Sequence, residues 1–246
     1  ENIMALPIIT VMKHELTLPS SGEKITFRPF LVKEEKILMM ALQGGEAKDM
    51  VRGLKEIINN CVDKDLKVDT LPPFDLEYIF LQLRARSVGD VIPINYSIPE
   101  ELCKDDKTEC KFEIELNIDD VKIQKDKKHK DLIVLTNEIK LKMKYPDMEA
   151  SVAMAGVEGT EMVNKTFDII QQSIEYIMDG EEMHNLSDYT KKEADDFLNS
   201  LSTQHFKEIQ TFFDTMPKLK HEITAKCKVC GKKNERVLEG MGDFFA

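Results

Sequence analysis

Apolar and polar positions along this chain are strand-like at its start, helical further on, strand-like again in the middle and helical once more towards the end. Residues 8–18 and 24–30 are both strand-like and flank Pro19-Ser20-Ser21-Gly22, a polar turn. Two strands around such a turn predict a β-hairpin at the N-terminal end of the fold.

A helix is predicted to follow the hairpin at about 33–42, where apolar residues recur at helical spacing. Gly44-Gly45 comes directly after it and is expected to end it. We expect the apolar side of this helix to be formed by Ile37, Leu38, Met40, Ala41 and Leu42.

Two more helices are predicted before the middle of the chain. The first spans 50–61, and Cys61 falls on its apolar face, so we expect a small core residue there and not a metal ligand. The second spans 74–86 and is apolar around most of its circumference. Such a pattern is typical of a helix buried on more than one side.

The middle of the chain is strand-rich and the last third is mainly helical. Residues 112–118 alternate cleanly, and 132–135 with 139–143 form another predicted strand pair. The pattern is poor over 148–158, which we interpret as a loop or linker. From Val163 to Ile177 the apolar residues step by four and three, which predicts a helical stripe.

The C-terminal part is predicted to contain two helices and then strands again. Thr190 and Glu193 have the spacing of a capping box at a helix start. A second stripe begins at Phe206 and is cut off by Pro217. Strands near Ile223 and Val237 then frame a cysteine motif.

The predicted class is α+β, with an N-terminal β-hairpin and helices, central antiparallel strands, C-terminal helices and zinc-knuckle-like cysteine hairpins. We divide the chain into an α+β portion at 1–147 with a strand-rich middle, a helical portion at 148–219, and a C-terminal cysteine hairpin and tail at 220–246. We expect this last portion to pack back on the first.

Four of the five cysteines form two pairs, and these pairs are the clearest chemical signal. Cys227-Lys-Val-Cys230-Gly231 has the spacing of a zinc knuckle, with two thiolates at a tight hairpin. Cys103 and Cys110 can supply two more ligands. Four thiolates complete the shell of a zinc ion, so we predict a structural zinc site that joins distant parts of the chain.

Two other interpretations of the cysteines stay open. They can be thiols that bind no metal, or Cys227 and Cys230 can form a redox dithiol. Redox motifs place such a pair at a helix start, where the helix dipole lowers the thiol pKa, whereas a strand is predicted to follow here. His221 can also replace one cysteine ligand, although it precedes Cys227 by six positions.

Charge and composition exclude several classes of protein. The net charge of −11 argues against a general nucleic-acid binder, which needs a basic surface. No apolar stretch reaches the roughly 20 residues that span a bilayer, and no basic-then-apolar leader opens the sequence. Five cysteines without an export signal indicate a reducing cytosol. One basic cluster is predicted to be a solvated hairpin loop that lacks aromatics for base stacking: Lys122, Lys125, Lys127, Lys128, His129 and Lys130.

No catalytic constellation is evident in the sequence. The glycines lack the order of a phosphate-binding loop, and the histidines have no evident nucleophile or carboxylate partner. Adjacent acids such as Glu34-Glu35 and Asp195-Asp196 point to different sides of a helix. We therefore predict a protein that binds other proteins and is not an enzyme. A thiol or zinc-dependent enzyme is the less favoured alternative.

Two segments resemble a known family of proteins. The first is FRPFLVKEEKIL, from Phe27 to Leu38, and the second is FDLEYIFLQLRARSVG, from Phe74 to Gly89. Together they resemble the baseplate hub assembly proteins of T4-like contractile-tailed bacteriophages. The resemblance implies a non-enzymatic role in building the central hub of the tail baseplate, in the cytoplasm of the infected host, with baseplate hub proteins as partners.

The resemblance leaves two roles open. Members of this family are described either as hub subunits of the finished virion or as assembly chaperones that leave before the tail is complete, and we favour the chaperone. The family brings no catalytic residues to this chain. Five polar residues match its signature, and we expect ion pairs or hub contacts at them: Arg28, Lys33, Glu34, Glu35 and Arg84.

Overall fold

The structure is a computed structural model, and it describes residues 11–63, 65–98, 110–154, 157–227 and 230–245. This part of the chain combines helices with antiparallel strands, so the predicted α+β class is confirmed. The helices are α1 (Val32–Gly44), α2 (Ala47–Cys61), α3 (Pro73–Val88), α4 (Met148–Ala153), α5 (Gly159–Gln172), α6 (Lys191–Asn199), α7 (Thr203–Asp214) and α8 (Gly240–Phe245).

All strand pairs with a described register are antiparallel. The strands are β1 (His14–Thr17), β2 (Lys24–Phe27), β3 (Val91–Ile98), β4 (Cys110–Asn117), β5 (Lys122–Gln124), β6 (Leu132–Val134), β7 (Ile139–Met143), β8 (Ile174–Asp179), β9 (Glu182–His184), β10 (Lys218–Lys226) and β11 (Lys233–Glu239).

Contacts within the chain define two compact units. Unit 1 comprises 1–68, 75–122 and 220–246, and unit 2 comprises 69–74 and 123–219. The chain therefore passes from unit 1 to unit 2 within β5, and its C-terminal segment, 220–246, belongs to unit 1 again. The predicted division into 1–147, 148–219 and 220–246 groups residues by type of secondary structure, whereas the two units are defined by contacts. The predicted division therefore stays a prediction.

Unit 1 begins with the β1–β2 hairpin, which confirms the prediction for this region. Leu16 lies opposite Ile25, and both are buried. Gly22 has a φ of 74°, a left-handed conformation that favours glycine in the turn. β1 is shorter than the predicted strand at 8–18, of which residues 8–10 lie outside the described part.

The core of unit 1 forms around α2 and α3. α3 buries residues around most of its circumference, as its pattern predicted, and Leu76, Ile79 and Leu83 are each 0% exposed. β3 and β4 pair along their whole length, from Val91 opposite Asn117 to Ile98 opposite Cys110. This hairpin adds Phe112 and Leu116 to the buried residues, which confirms the alternation predicted for β4.

Unit 2 contains a four-stranded sheet in the order β6-β7-β8-β9. Helices cover its apolar side, and Leu141 on β7, Ile170 on α5 and Phe212 on α7 belong to one core cluster. At the start of α6, Thr190 N donates to Glu193 Oε2 over 2.8 Å and Glu193 N donates to Thr190 Oγ1 over 3.3 Å. The predicted capping box is thereby confirmed.

The predicted helical stripe from Val163 to Ile177 is wrong at its C-terminal end. α5 ends at Gln172, and the following residues form β8, paired with β7. Ile174 and Ile177 are buried on this sheet. β8 has the sequence IEYIMD, whose two isoleucines and tyrosine are residues that strands favour, and it forms a strand once a partner is present.

The segment 148–158, predicted as a loop or linker, contains α4. Asp147 caps this helix, because its side chain accepts a hydrogen bond from Ala150 N over 2.8 Å. Met148 and Ala150 are buried. A helix of six residues is too short to show a helical period in the sequence. Asp147 as a potential N-cap was the signal that could have predicted it.

The basic cluster at 122–130 does not form the loop of a hairpin, contrary to the prediction. β5 precedes this loop and β6 follows it, and the two strands belong to different sheets. The lysines in the loop are exposed, whereas His129 is half-buried.

His129 attaches this loop to unit 2 through both ring nitrogens. Nδ1 lies 3.0 Å from Thr215 Oγ1 and Nε2 lies 3.0 Å from the Tyr145 hydroxyl. Thr215 Oγ1 donates its proton to the Thr211 carbonyl over 2.6 Å, so it accepts from Nδ1–H. Burial, and next the charge of Lys125, lower the pKa of His129.

We expect the chain to lose stability as the pH falls below about 6.5, the ordinary pKa of histidine. Because the pKa of His129 is lower in the folded state, the unfolded chain takes up this proton first, and acid favours unfolding. His129→Gln removes the titrating group. The variant should show a smaller loss of unfolding free energy between pH 7.5 and 5.5 than the parent chain, measured by urea denaturation.

The control is His221→Gln, which removes one histidine from β10 in unit 1. Carboxylates contribute to the pH dependence of all three proteins and cancel in the comparison. An equal pH dependence in the two variants would contradict the role given to His129.

Candidate functional site

A buried ion pair joins Arg28 to Glu34 at the first of the two segments that resemble the phage family. Arg28 Nη2 lies 2.9 Å from Glu34 Oε1 and Nη1 lies 3.3 Å from Oε2, a two-pronged contact. The Glu34 side chain is 0% exposed and that of Arg28 is 19% exposed. Lys33 Nζ lies 3.3 Å from Oε1. The carboxylate thus has cationic partners that offset the cost of its burial.

The same ion pair ties three elements of unit 1 together. Glu34 Oε2 accepts from Leu31 N over 2.9 Å and so closes the first turn of α1. Arg28 Nη2 donates to the Asn60 carbonyl over 2.8 Å, and Arg28 N donates to the Cys61 carbonyl over 2.9 Å, at the end of α2. The chain after β2 is therefore fixed to α1 and α2 at one point.

The balance of these contacts sets the charge state of Glu34. Burial by itself raises the pKa of Glu34, but hydrogen bonds from Arg28, Leu31 N and Lys33 outweigh it, so the net shift is downward. The hydrogen bond to Glu34 raises the pKa of Arg28. Both groups are therefore charged at neutral pH.

The second segment that resembles the family also contains a buried carboxylate. Asp75, in the first turn of α3, is 0% exposed. It accepts hydrogen bonds from Ser20 N, over 3.1 Å, and from the Ser20 hydroxyl. Burial raises the pKa of Asp75 despite these bonds. Asp75 thus anchors the β1–β2 turn to α3 as Glu34 anchors α1 to α2.

The other residues of the predicted polar signature lie in different places. Lys33 and Glu35 are exposed on the first turn of α1, and Arg84 is half-buried on α3. The structure thus gives Arg28 and Glu34 an internal role in unit 1. Contact of the five residues with a hub protein stays a prediction.

On the side opposite to its ion pair, α1 exposes large apolar side chains to solvent, with the polar Glu35, Lys36 and Gln43 among them. Ala41 on its inner side is buried, and a Cβ added at Gly53 of α2 would lie 2.8 Å from the Ala41 Cβ. The two helices therefore approach closely through small residues. The outer side carries four large apolar side chains that are more than half exposed: Val32 69%, Met39 55%, Met40 64% and Leu42 55%.

Met40 and Leu42 are predicted on the same apolar side of α1 as Ala41, and this prediction is wrong. Apolar residues occur on both sides of this helix, so the pattern does not single out the buried side. Ile37 and Leu38 lie towards the inner side, so Val32 and Met39 must point the other way at 100° per residue. An apolar helix surface without a cover in the described part of the chain is a candidate binding surface.

The β10–β11 hairpin holds the second cysteine pair. The strands end at Lys226 opposite Lys233. In the loop, Cys227 N donates to the Lys232 carbonyl and Gly231 N donates to the Cys227 carbonyl, both over 2.9 Å. Gly231 has a φ of 69°, the left-handed conformation that glycine accommodates. These bonds link Cys227 to Gly231 and Lys232 across the loop, and the predicted zinc-knuckle form of the hairpin stays a prediction.

The cysteines of this turn pack against β4. Cys227 is 2% exposed and Cys230 is half-buried, and both belong to a cluster with Phe112. Phe112 stacks on Tyr96 with ring centroids 4.8 Å apart, and the Arg236 guanidinium lies 5.1 Å from the centre of the Tyr96 ring. The turn thus lies beside the N-terminal end of β4.

The predicted four-cysteine zinc site is only partly within the described residues. Cys103 lies outside them, and Cys110 begins β4 but its side chain is not described. Among the described side chains, no three His, Cys, Asp or Glu residues come together to hold a metal ion. Cys61 is 4% exposed and burial raises its pKa to about 11, which confirms the predicted core position.

Comparison with known proteins identifies the family. Residues 11–246 match the family model described as T4 bacteriophage base plate protein. The chain belongs to this family. A relative, the baseplate hub assembly protein gp26 of Enterobacteria phage T4, is 26% identical over 226 residues, which cover 91% of this chain and 94% of the relative.

The family membership confirms the resemblance seen in the sequence and gives this base plate protein a role in the phage baseplate. No solved structure matches the chain. Within the described residues, none of the helices combines the length and apolar character that a membrane crossing requires.

We expect Glu34→Gln to lower the free energy of unfolding by about 3 kcal/mol, because loss of one partner leaves a largely buried charge without its counterion. The matched control is Glu35→Gln, at the next position on the exposed side of α1. It should change the free energy by less than about 0.5 kcal/mol. Urea denaturation at pH 7 measures both, and equal effects of the two substitutions would refute the importance of the ion pair.

Proposed function

We propose that this base plate protein is an assembly chaperone that binds a protein of the central baseplate hub in the host cytoplasm and leaves before the tail is complete. The observation that carries the proposal is the exposed apolar face of α1, formed by Val32, Met39, Met40 and Leu42. The name of the relative, a baseplate hub assembly protein, supports a partner in the hub.

The chemistry of this face suits temporary binding to a partner. An exposed apolar surface gains free energy when a partner removes it from water. Two of its four side chains are methionines, whose flexible thioethers adapt to different shapes. The face is also held rigidly, because the ion pair at Glu34 and the close packing of Ala41 on Gly53 fix α1 on its inner side.

Co-expression with each hub protein, followed by affinity purification, tests the binding step. We expect Met39→Gln with Met40→Gln to reduce recovery of the hub protein at least fivefold, because glutamine keeps the length and helix propensity of methionine but not its apolar character. The control carries the same change at two other exposed methionines, Met12→Gln with Met183→Gln. Equal recovery with both variants would exclude the α1 face.

The composition of purified phage tails distinguishes a chaperone from a structural subunit of the hub. Mass spectrometry of purified tails should not find the chain if it is a chaperone. Its presence at a fixed stoichiometry would instead support the subunit, which is the alternative function.

We also propose that Cys103, Cys110, Cys227 and Cys230 bind one structural zinc ion. The proposal is supported by the backbone hydrogen bonds that join Cys227 to Gly231 and Lys232, and by the left-handed Gly231, which suit a zinc knuckle. It rests also on the position of this turn beside Phe112, two residues after Cys110 on β4. Zinc bound by thiolates would add its binding free energy to folding.

We expect the purified chain to contain one zinc ion, measured by inductively coupled plasma mass spectrometry. Cys230→Ser should lose the zinc and lower the Tm, because a structural zinc site stabilises the folded state. Cys61→Ala is the control, since Cys61 lies in the core and should leave the zinc content unchanged. A chain purified without zinc, or a Cys230→Ser variant that keeps it, would refute this site.

A further inference from the structure

Among the residues that the structure describes, the sheet of unit 2 has an open edge at β6. This strand pairs with β7 on one side, with Leu132 opposite Lys142, Ile133 opposite Leu141 and Val134 opposite Lys140, and it is the end strand in the sheet order. Edge strands offer backbone groups that can pair with another chain.

The hydrogen-bond pattern shows which backbone groups point outwards. Met143 N donates to the Asp131 carbonyl over 2.7 Å, and Leu135 N donates to the Ile139 carbonyl over 3.0 Å. Hydrogen-bonded and non-bonded pairs alternate along an antiparallel ladder, so Leu132 and Val134 stand at non-bonded positions. Their N–H and C=O groups therefore face away from β7, and β6 has no second partner strand among those described.

A groove runs beside this edge. It has a volume of about 390 Å³ and is lined by β6 and by side chains of α7 and the basic loop, among them Phe212, Thr211 and Lys130. On the other face of the strand, Leu132 is 39% exposed and Val134 is 54% exposed. A strand added at β6 would therefore meet apolar side chains on both of its faces.

The charges around the groove favour an acidic occupant. Lys128 and Lys130 line it, and Lys125 and Lys127 lie in the same exposed loop. Glu208 on α7 is the acidic residue of the lining, and it accepts a hydrogen bond from Gln204 over 3.2 Å. Asp126 lies in the same loop, and Asp131, directly before β6, pairs with Lys142. The four lysines still exceed the acidic residues in number, so the field at the edge is positive.

We propose that the free edge of β6 binds an extended segment of a partner protein, in which acidic and apolar residues alternate, as an additional strand of the sheet. The outward N–H and C=O groups of Leu132 and Val134 pair with its backbone, an apolar side chain enters the groove beside Phe212, and carboxylates lie near Lys128 and Lys130. Such strand addition combines backbone affinity with side-chain specificity. This surface is independent of the proposed binding face on α1.

A fluorescein-labelled peptide of alternating isoleucine and glutamate is the probe. Its binding to the full chain, followed by fluorescence anisotropy at low salt, should weaken as salt is added. Val134→Pro removes one outward N–H and is compatible with an edge strand. We expect it to raise the Kd of the peptide at least tenfold, whereas Val134→Thr, which keeps the N–H and a branched side chain, should change it by less than about twofold.

Further measurements make the test decisive. Thermal unfolding of Val134→Pro verifies that the variant is folded, and Lys128→Gln with Lys130→Gln should raise the Kd several-fold and reduce its salt dependence. A peptide with alternating isoleucine and lysine should not bind. Equal binding to the parent and the Val134→Pro variant, or no binding to the parent, would overturn the proposal. Self-association of the parent that Val134→Pro abolishes would also overturn it, by making a second copy the occupant.

Discussion

The ion pair between Arg28 and Glu34 is the interaction on which the arrangement of unit 1 depends. A carboxylate with no solvent exposure is tolerated because the guanidinium, the Leu31 amide and the Lys33 ammonium meet it. The guanidinium also holds the Asn60 carbonyl, so the end of β2 and the start of α1 are fixed to the end of α2. Together with the close packing of Ala41 on Gly53, this contact sets the direction of α1 and the side of α1 that meets solvent.

Much of the fold can be predicted from local signals. The turn at 19–22 predicted the first hairpin, Thr190 with Glu193 predicted the start of α6, and the apolar circumference of α3 predicted its deep burial. β8 could not be found in this way. Its apolar spacing also fits a helix, and the deciding factor is pairing with β7, which lies some thirty residues earlier in the chain.

The candidate sites show the same limit. Arg28 and Glu34 were singled out through the family resemblance. A spacing of six residues between two charged side chains does not show that they form an ion pair or that Glu34 is buried. The exposed face of α1 depends on which side α2 covers, and the open edge of β6 depends on sheet order. Both are properties of packing between elements, which a one-dimensional pattern does not contain.

The path of the chain through the two units has a consequence for biosynthesis. Residues 220–246 belong to unit 1, although all of 123–219 in unit 2 precede them on the ribosome. Unit 2 can therefore mature while translation continues, but unit 1 must wait for β10 and β11. In a nascent chain stalled before Lys220, unit 2 would be folded and unit 1 would be incomplete. The incomplete unit 1 would be open to proteolysis and to premature association.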